Sequence, residues 1–255
     1  MDLELRDKTF LITGGTDGIG LGLAERLIEE GAGVAICGRD QERLDEAQST
    51  LGAGALCVRA DVTDPGALDL FIDMALERFG RLDGAVNNAG TSSSSSIAVS
   101  TDDLWRTDYE LKVIAALHVS RRVLPLLEAS GGAILNVLAT GARTPGANSG
   151  PTTASRAAGR AFTKALASEA APRGVRVNAI LIGLVESGQW VRRAKESNLD
   201  LAMFYAELAK NARIPLGRVG RTDEFADLAT YLLSQRASYV TGVGVSLDGG
   251  LSPVI

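Results

Sequence analysis

Thr13-Gly14-Gly15-Thr16-Asp17-Gly18-Ile19-Gly20 follows the apolar run Phe10-Leu11-Ile12 and opens onto an amphipathic stretch in which Leu23, Ala24, Leu27 and Ile28 recur at helical spacing. A strand, a glycine turn and a helix N-terminus in that order make a phosphate site. Gly14 allows a tight exit from the strand, and Gly18 and Gly20 remove side chains where a pyrophosphate would touch backbone. The free N–H groups of the first helical turn and the helix dipole face the anion. The spacing is G-x-x-x-G-x-G rather than the dinucleotide fingerprint G-x-G-x-x-G. Taken alone, it also fits a glycine-rich turn in an unrelated α/β protein.

Outward from this stretch, short runs of Val, Ile, Leu and Ala alternate with longer helical patterns. The runs Thr9–Ile12, Gly33–Cys37, Ala55–Val58, Gly84–Val86, Ala133–Leu138, Val175–Leu181 and Val243–Leu247 read as strands. They are apolar throughout, the pattern of a parallel sheet covered on both faces. Asp64-Pro65 reads as an N-cap followed by a first-turn proline. Thr222-Asp223-Glu224 reads as a further helix start, with Phe225, Leu228, Ala229 and Leu232 on its buried face. The alternation predicts an α/β fold: one Rossmann-like domain over residues 1–255, with a doubly wound parallel sheet of about seven strands.

The chain has 255 residues, a net charge of −5 and a pI near 5.1. This acidic balance, without a basic patch, argues against nucleic acid as a partner. The charged start Met1–Asp7 does not read as a signal peptide, and no apolar run approaches the roughly 20 residues that span a bilayer. The expectation is a soluble cytoplasmic protein with Cys37 and Cys57 reduced in the core. No residue is assigned to a metal. Two stretches interrupt the rhythm. Thr91–Ser96 is a polar loop, either solvated or beside a substrate path. Leu184–Arg221, with Trp190, Met203, Phe204 and Tyr205, follows the sixth strand and reads as a substrate lid or as an oligomer contact.

The chain resembles the short-chain dehydrogenase/reductase family along nearly its whole length. The motifs that carry the resemblance are Thr13–Gly20, Asp61-Val62, Asn87-Asn88-Ala89-Gly90, Val177-Asn178-Ala179 with Gly183, and Asp248-Gly249-Gly250. The resemblance implies a nicotinamide dinucleotide held by Gly14, Thr16, Asp17, Gly18, Ile19 and Gly20, by Asp61 and Val62 at the adenine, by Asn88, Ala89 and Gly90, and by Ser187 and Arg156. It also implies a homo-oligomer, a tetramer or a dimer. The residue ending the second strand meets the adenosine ribose in such folds, and a carboxylate there selects NAD. Here Gly38-Arg39 stands at that place, and a guanidinium pairs with a 2′-phosphate, so NADP(H) is expected over NAD(H).

Four positions depart from the family pattern. Its catalytic serine falls on Ala139, its tyrosine on Thr152, its lysine on Arg156 and its asparagine on Glu110. A threonine hydroxyl donates a hydrogen bond but is a poor acid, and Arg156 stays charged. Thr140 offers a hydroxyl beside Ala139. Glu110 is the acid/base candidate of the set, or else a structural partner of Arg156. His118 is assigned a structural role. Three readings follow. The first is a redox enzyme moving a hydride between NADP(H) and a carbonyl or alcohol, with an apolar or aromatic small-molecule substrate. The second is a non-redox enzyme, such as an isomerase, dehydratase or cyclase. The third is an inactive nucleotide-binding sensor or scaffold.

Overall fold

The computed structural model describes residues 2–254, so Met1 and Ile255 lie outside the described chain. Seven parallel strands form one sheet: β1 (Thr9–Thr13), β2 (Gly33–Gly38), β3 (Ala55–Arg59), β4 (Gly84–Asn87), β5 (Ala133–Ala139), β6 (Arg176–Ile182) and β7 (Gly244–Leu247). Their spatial order is β3-β2-β1-β4-β5-β6-β7. The winding direction reverses between β1 and β4, which places a ligand crevice at their carboxyl ends.

The helices are α1 (Gly18–Glu29), α2 (Gln41–Leu51), α3 (Pro65–Phe79), α4 (Asp102–Tyr109), α5 (Ala115–Ser130), α6 (Thr152–Ala170), α7 (Gly188–Glu196), α8 (Leu201–Ala212) and α9 (Thr222–Leu233). A π-helical turn, Glu110–Ile114, joins α4 to α5.

Alternation along β1 divides the core. Phe10 and Ile12 pack with Leu23 and Leu27 of α1 and Phe225 of α9. Leu11 points to the other face, toward Phe71 of α3, Val119 of α5 and Leu166 of α6. This period-two division of one apolar run shows why both faces of the sheet need helices. Asp64 caps α3 as expected, accepting from Gly66 N at 2.8 Å and Ala67 N at 3.2 Å. The Arg176 guanidinium closes the far end of α9, donating to Leu232 O at 2.7 Å and Ser234 O at 2.9 Å, where the dipole favours a cation.

All seven expected strands are present. Six run one residue further than their apolar stretches, to Thr13, Gly38, Arg59, Asn87, Ala139 and Ile182. A parallel ladder is made by backbone and continues under polar residues. The added residues lie at the carboxyl edge, where the crevice opens. The expectation for Cys57 is corrected: it is half-buried, whereas Cys37 is buried. Desolvation pushes Cys37 up to about 12 and Cys57 to about 11, so both are held as thiols. No helix among the described residues is long and apolar enough to cross a membrane.

Candidate active site

The glycine loop is held from behind by the end of β4. Asn88 Nδ2 donates to Thr13 O at 2.9 Å and Gly14 O at 2.8 Å, and Thr13 Oγ1 accepts from the Asn88 and Ala89 amides, both at 3.1 Å. Gly14 has φ +66°, and a Cβ there would sit 2.9 Å from Ala89 Cα. The role read for Gly20 changes. A Cβ at Gly20 would lie 2.5 Å from Gly14 O and 2.6 Å from Asn88 Nδ2, so this glycine seats α1 against the loop rather than a ligand against the backbone. Gly18, at φ +55°, stands where a Cβ would come within 3.3 Å of Ser187 Cβ, so its bare backbone lets the loop meet the start of α7. Asp17 bridges the same gap. Its Oδ2 is 3.3 Å from Arg192 Nη1 and 3.9 Å from Arg43 Nη1.

The crevice continues toward β2 and β3 as an open hollow of about 670 Å³, lined by Thr16, Gly38, Arg39, Arg43, Asp61, Val62 and Gly90 among others. A side chain at Gly38 would strike Thr16 Cγ2 at 2.8 Å, so this corner stays open only with glycine. Arg39 is 72 % exposed and lies 3.9 Å from Asp61. Burial pushes the Asp61 carboxyl up, but bonds from the Thr63 amide and hydroxyl and the charge of Arg39 outweigh it and hold it below its ordinary value. Arg43 adds a second guanidinium that sequence reading did not assign; one turn into α2, it faces the same hollow as Arg39.

Toward β5 the crevice becomes a cleft of about 400 Å³ that Gly14, Asp17, Gly18, Ile19, Ala89, Gly90, Ala139, Thr152, Arg156, Ser187 and Trp190 help to line. Its floor is charged. Lys112 Nζ donates to Thr152 Oγ1 at 2.6 Å and also to Asp108 Oδ1, while Ser155 Oγ donates to Asp108 Oδ2 at 2.5 Å. The Lys112 and Asp108 side chains are 1 % and 0 % exposed. Arg156 Nη1 donates to Val137 O at 2.5 Å, and its Nη2 abuts Gly90, where a Cβ would come within 2.7 Å. Burial pushes Lys112 down to about 8; the Asp108 bond opposes this shift and the Arg156 charge adds to it. Burial likewise brings Arg156 down to about 10, against the pull of Asp108, so it remains a cation near neutrality.

Two expectations for this floor are corrected. Glu110 is exposed and lines neither part of the crevice, and among the described residues it makes no ion pair with Arg156. Positions two apart on a helix face opposite ways. Asp108 and Lys112, four apart, share the inward stripe that continues through Ala115, Val119 and Val123. A charged pair interrupting an apolar stripe was the available signal for Lys112. Thr140 starts a single tight turn after β5 and does not line the cleft, whose wall there is the Ala139 methyl.

The serine stretch is tied to the floor rather than loose. Ser93 N donates to Thr152 Oγ1 at 3.0 Å and Ser95 N to Gly150 O at 2.6 Å. Residues 184–221 carry α7, which lines the cleft at Gln189, Trp190 and Arg192, and α8, which packs on α7 with Trp190–Phe204 and Phe204–Tyr205 ring centroids 6.3 and 6.2 Å apart. Met203 stands apart from that cluster, 59 % exposed. His118 Nε2 lies 3.2 Å from Asp69 Oδ1, away from the cleft. No group of three or more His, Cys, Asp or Glu among the described residues could hold a metal ion.

Known proteins share this architecture. Residues 14–252 match the family model described as enoyl-(acyl carrier protein) reductase. The 3-oxoacyl-[acyl-carrier-protein] reductase of Chlamydia pneumoniae is 32% identical over 256 residues, covering 99% of this chain and 100% of its own. A short chain oxidoreductase from Pseudomonas aeruginosa PAO1, described as containing an atypical catalytic center, is 40% identical with a TM-score of 0.94, covering 98% of this chain and 99% of its own. The same protein bound to NADPH superposes at 0.92. L-sorbose reductase of Gluconobacter frateurii, complexed with NADPH and L-sorbose, is 32% identical over the full length of both chains, with a TM-score of 0.94.

Proposed function

Because the chain belongs to the short-chain dehydrogenase/reductase family of oxidoreductases, we propose that it is an NADP(H)-dependent enzyme that interconverts a carbonyl and an alcohol through a non-standard site. One observation carries this reading: a single crevice runs from the basic corner at Arg39 and Arg43, past the glycine loop, to the Thr152 hydroxyl. A nicotinamide dinucleotide supplies the hydride when bound. The chain's own residues hold and orient it. The amides around Gly14–Gly20 take the pyrophosphate, Arg39 and Arg43 take the 2′-phosphate, and Asp61 and Val62 border the adenine. Asn88, Ala89 and Gly90 border the middle of the crevice. Ser187 and Arg156 stand at its nicotinamide end. Thr152 donates to the substrate oxygen.

Trp190, Phe204 and Tyr205 favour an apolar or aromatic substrate. The outer edge of β7, which pairs with no further strand among the described residues, supports association into a homo-oligomer. Two measurements test the central reading. Titration with NADPH and NADH, followed by energy transfer from tryptophan, is expected to give tighter binding of NADPH. A carbonyl panel of an acetoacetyl thioester, L-sorbose and an aromatic ketone is expected to yield steady NADPH oxidation with at least one member. Absence of binding to either nucleotide would overturn the assignment.

A further inference from the structure

We infer that Lys112 is the proton donor of this site and that the Thr152 hydroxyl relays its proton to the substrate, with Asp108 and Ser155 holding the lysine in place. This rests on the oxidoreductase reading above and identifies the acid within it. The geometry of one oxygen carries the argument. A threonine hydroxyl has two acceptor positions and one O–H. At Thr152 both acceptor positions are filled, by Lys112 Nζ at 2.6 Å and Ser93 N at 3.0 Å. The hydroxyl proton therefore points away from both donors, and Thr152 lines the cleft. The donor-to-acceptor order is thus set from lysine to threonine to cleft.

A free threonine hydroxyl is too weak an acid for this task, but it need not ionise. As a carbonyl carbon accepts hydride, its oxygen takes the Thr152 proton while Thr152 Oγ1 takes one from Lys112. The step ends with an alcohol, an intact threonine hydroxyl and a neutral lysine, which regains its proton from solvent. The groups facing Lys112 suit it to this role. The Asp108 carboxylate from α4 accepts from it and is fixed on its other oxygen by Ser155 from α6 at 2.5 Å. The Arg156 cation, also from α6, opposes its charge. Burial and that repulsion bring the ammonium to about 8, close to neutrality, where a general acid is most effective. Behind it lies a small cavity of about 20 Å³ lined in part by Asn87, Asn136, Lys112 and Arg156, room for one water.

The test combines turnover with a readout independent of it. In cofactor-free protein labelled at lysine Cε, the five lysines are followed by NMR against pH. One is expected to titrate near 8 and to vanish in Lys112→Met. With a panel carbonyl the reduction rate is expected to fall as pH rises through the same value, because only the ammonium can donate, and alcohol oxidation to rise. Lys112→Met and Thr152→Val are each expected to lose roughly 10²–10⁴-fold in kcat while still binding NADPH. Thr152→Ser is expected to retain activity, and Lys112→Arg to lose the break in the profile. Thr152→Val leaves the Asp108–Lys112 pair intact and covers the case in which Lys112→Met fails to fold. Wild-type turnover with either variant within threefold, or with every lysine titrating above 9, would overturn the relay and leave the oxidoreductase reading standing. Wild-type silence with every carbonyl would remove that reading and the relay with it.

Discussion

The two ends of the crevice are built from different material. The glycine loop is a backbone site: its shape comes from Gly14 and Gly18 at positive φ and from Asn88 stitching the loop to β4. The floor beneath Thr152 is a side-chain site: a buried lysine, a buried aspartate and a serine brought together from α4, the π-helical turn and α6. A backbone site survives wherever the glycines survive, and it is indifferent to most neighbouring side chains. A side-chain site depends on which residues share a helix face, and one changed partner leaves a charge unsatisfied. The two ends should therefore fail differently when perturbed.

The largest effect is expected on the floor. Asp108→Ala strands the Lys112 ammonium in a buried setting and is expected to cost about 3–5 kcal/mol of stability, the range for breaking a buried pair. Thermal and denaturant unfolding would measure it. Replacing both partners, Asp108→Leu with Lys112→Met, is expected to recover most of that loss, because the desolvation cost leaves with the charges. If the double variant is as unstable as the single one, packing rather than charge dominates at this position.

At the backbone end, Gly20→Val drives a side chain onto Gly14 O and Asn88 Nδ2. Backbone cannot swing aside as a flexible side chain does, so a cost of about 3 kcal/mol is expected, with NADPH affinity lowered at least tenfold. Unfolding and a nucleotide titration on the same sample separate the two. Loss of stability with normal affinity would mean that the loop relaxes to its original shape once ligand arrives. Arg39→Ala comes next. Its guanidinium is exposed, so a charge-assisted pair with a 2′-phosphate is discounted to about 1–2 kcal/mol, roughly five- to thirtyfold weaker NADPH binding with NADH little changed. Equal weakening of both nucleotides would remove the 2′-phosphate argument and shift attention to Arg43.

A smaller change is expected at Asp17, where the ends meet. Its carboxylate engages both Arg43 and Arg192 at the mouth of an anion site. Asp17→Asn keeps an N-cap residue for α1 and frees both cations. Tighter NADPH binding is expected, by about 0.3–1 kcal/mol or roughly two- to fivefold, and the gain should shrink as salt rises. Weaker binding would show that the bridge to α7 matters more to the ligand than the charge it carries.

What was legible in the sequence follows the same division. The seven strands, both faces of the core and the glycine loop could be read because backbone geometry leaves local marks: apolar runs, glycines and caps. Arg39 was readable because it follows β2 directly. Arg43 was not, since it reaches the same hollow from within α2. Lys112 was missed for a related reason. Matching Asp108–Lys112 to a linear motif gives an order of residues but not a helix face, and the partners Thr152 and Ser93 lie 40 and 59 residues from Lys112 and Thr152 respectively in the bonds that define the floor.

Glu110 is the smallest expected effect and the sharpest check on that explanation. It lies two residues from Asp108 and from Lys112, so about 200° of helical rotation turns it from their shared stripe toward solvent. An exposed carboxylate without a structural partner contributes little, and its loss is expected to change stability by no more than about 0.5 kcal/mol. Glu110→Gln should accordingly leave both the reduction rate and its pH profile where they were, in the same assays in which Lys112→Met is expected to lose most of its turnover. A rate loss of tenfold or more, or displacement of the break near pH 8, would mean that the turn rearranges when the crevice fills. Glu110 would then return to the floor, and the division between a fixed backbone site and a fixed side-chain site would fail at the π-helical turn itself.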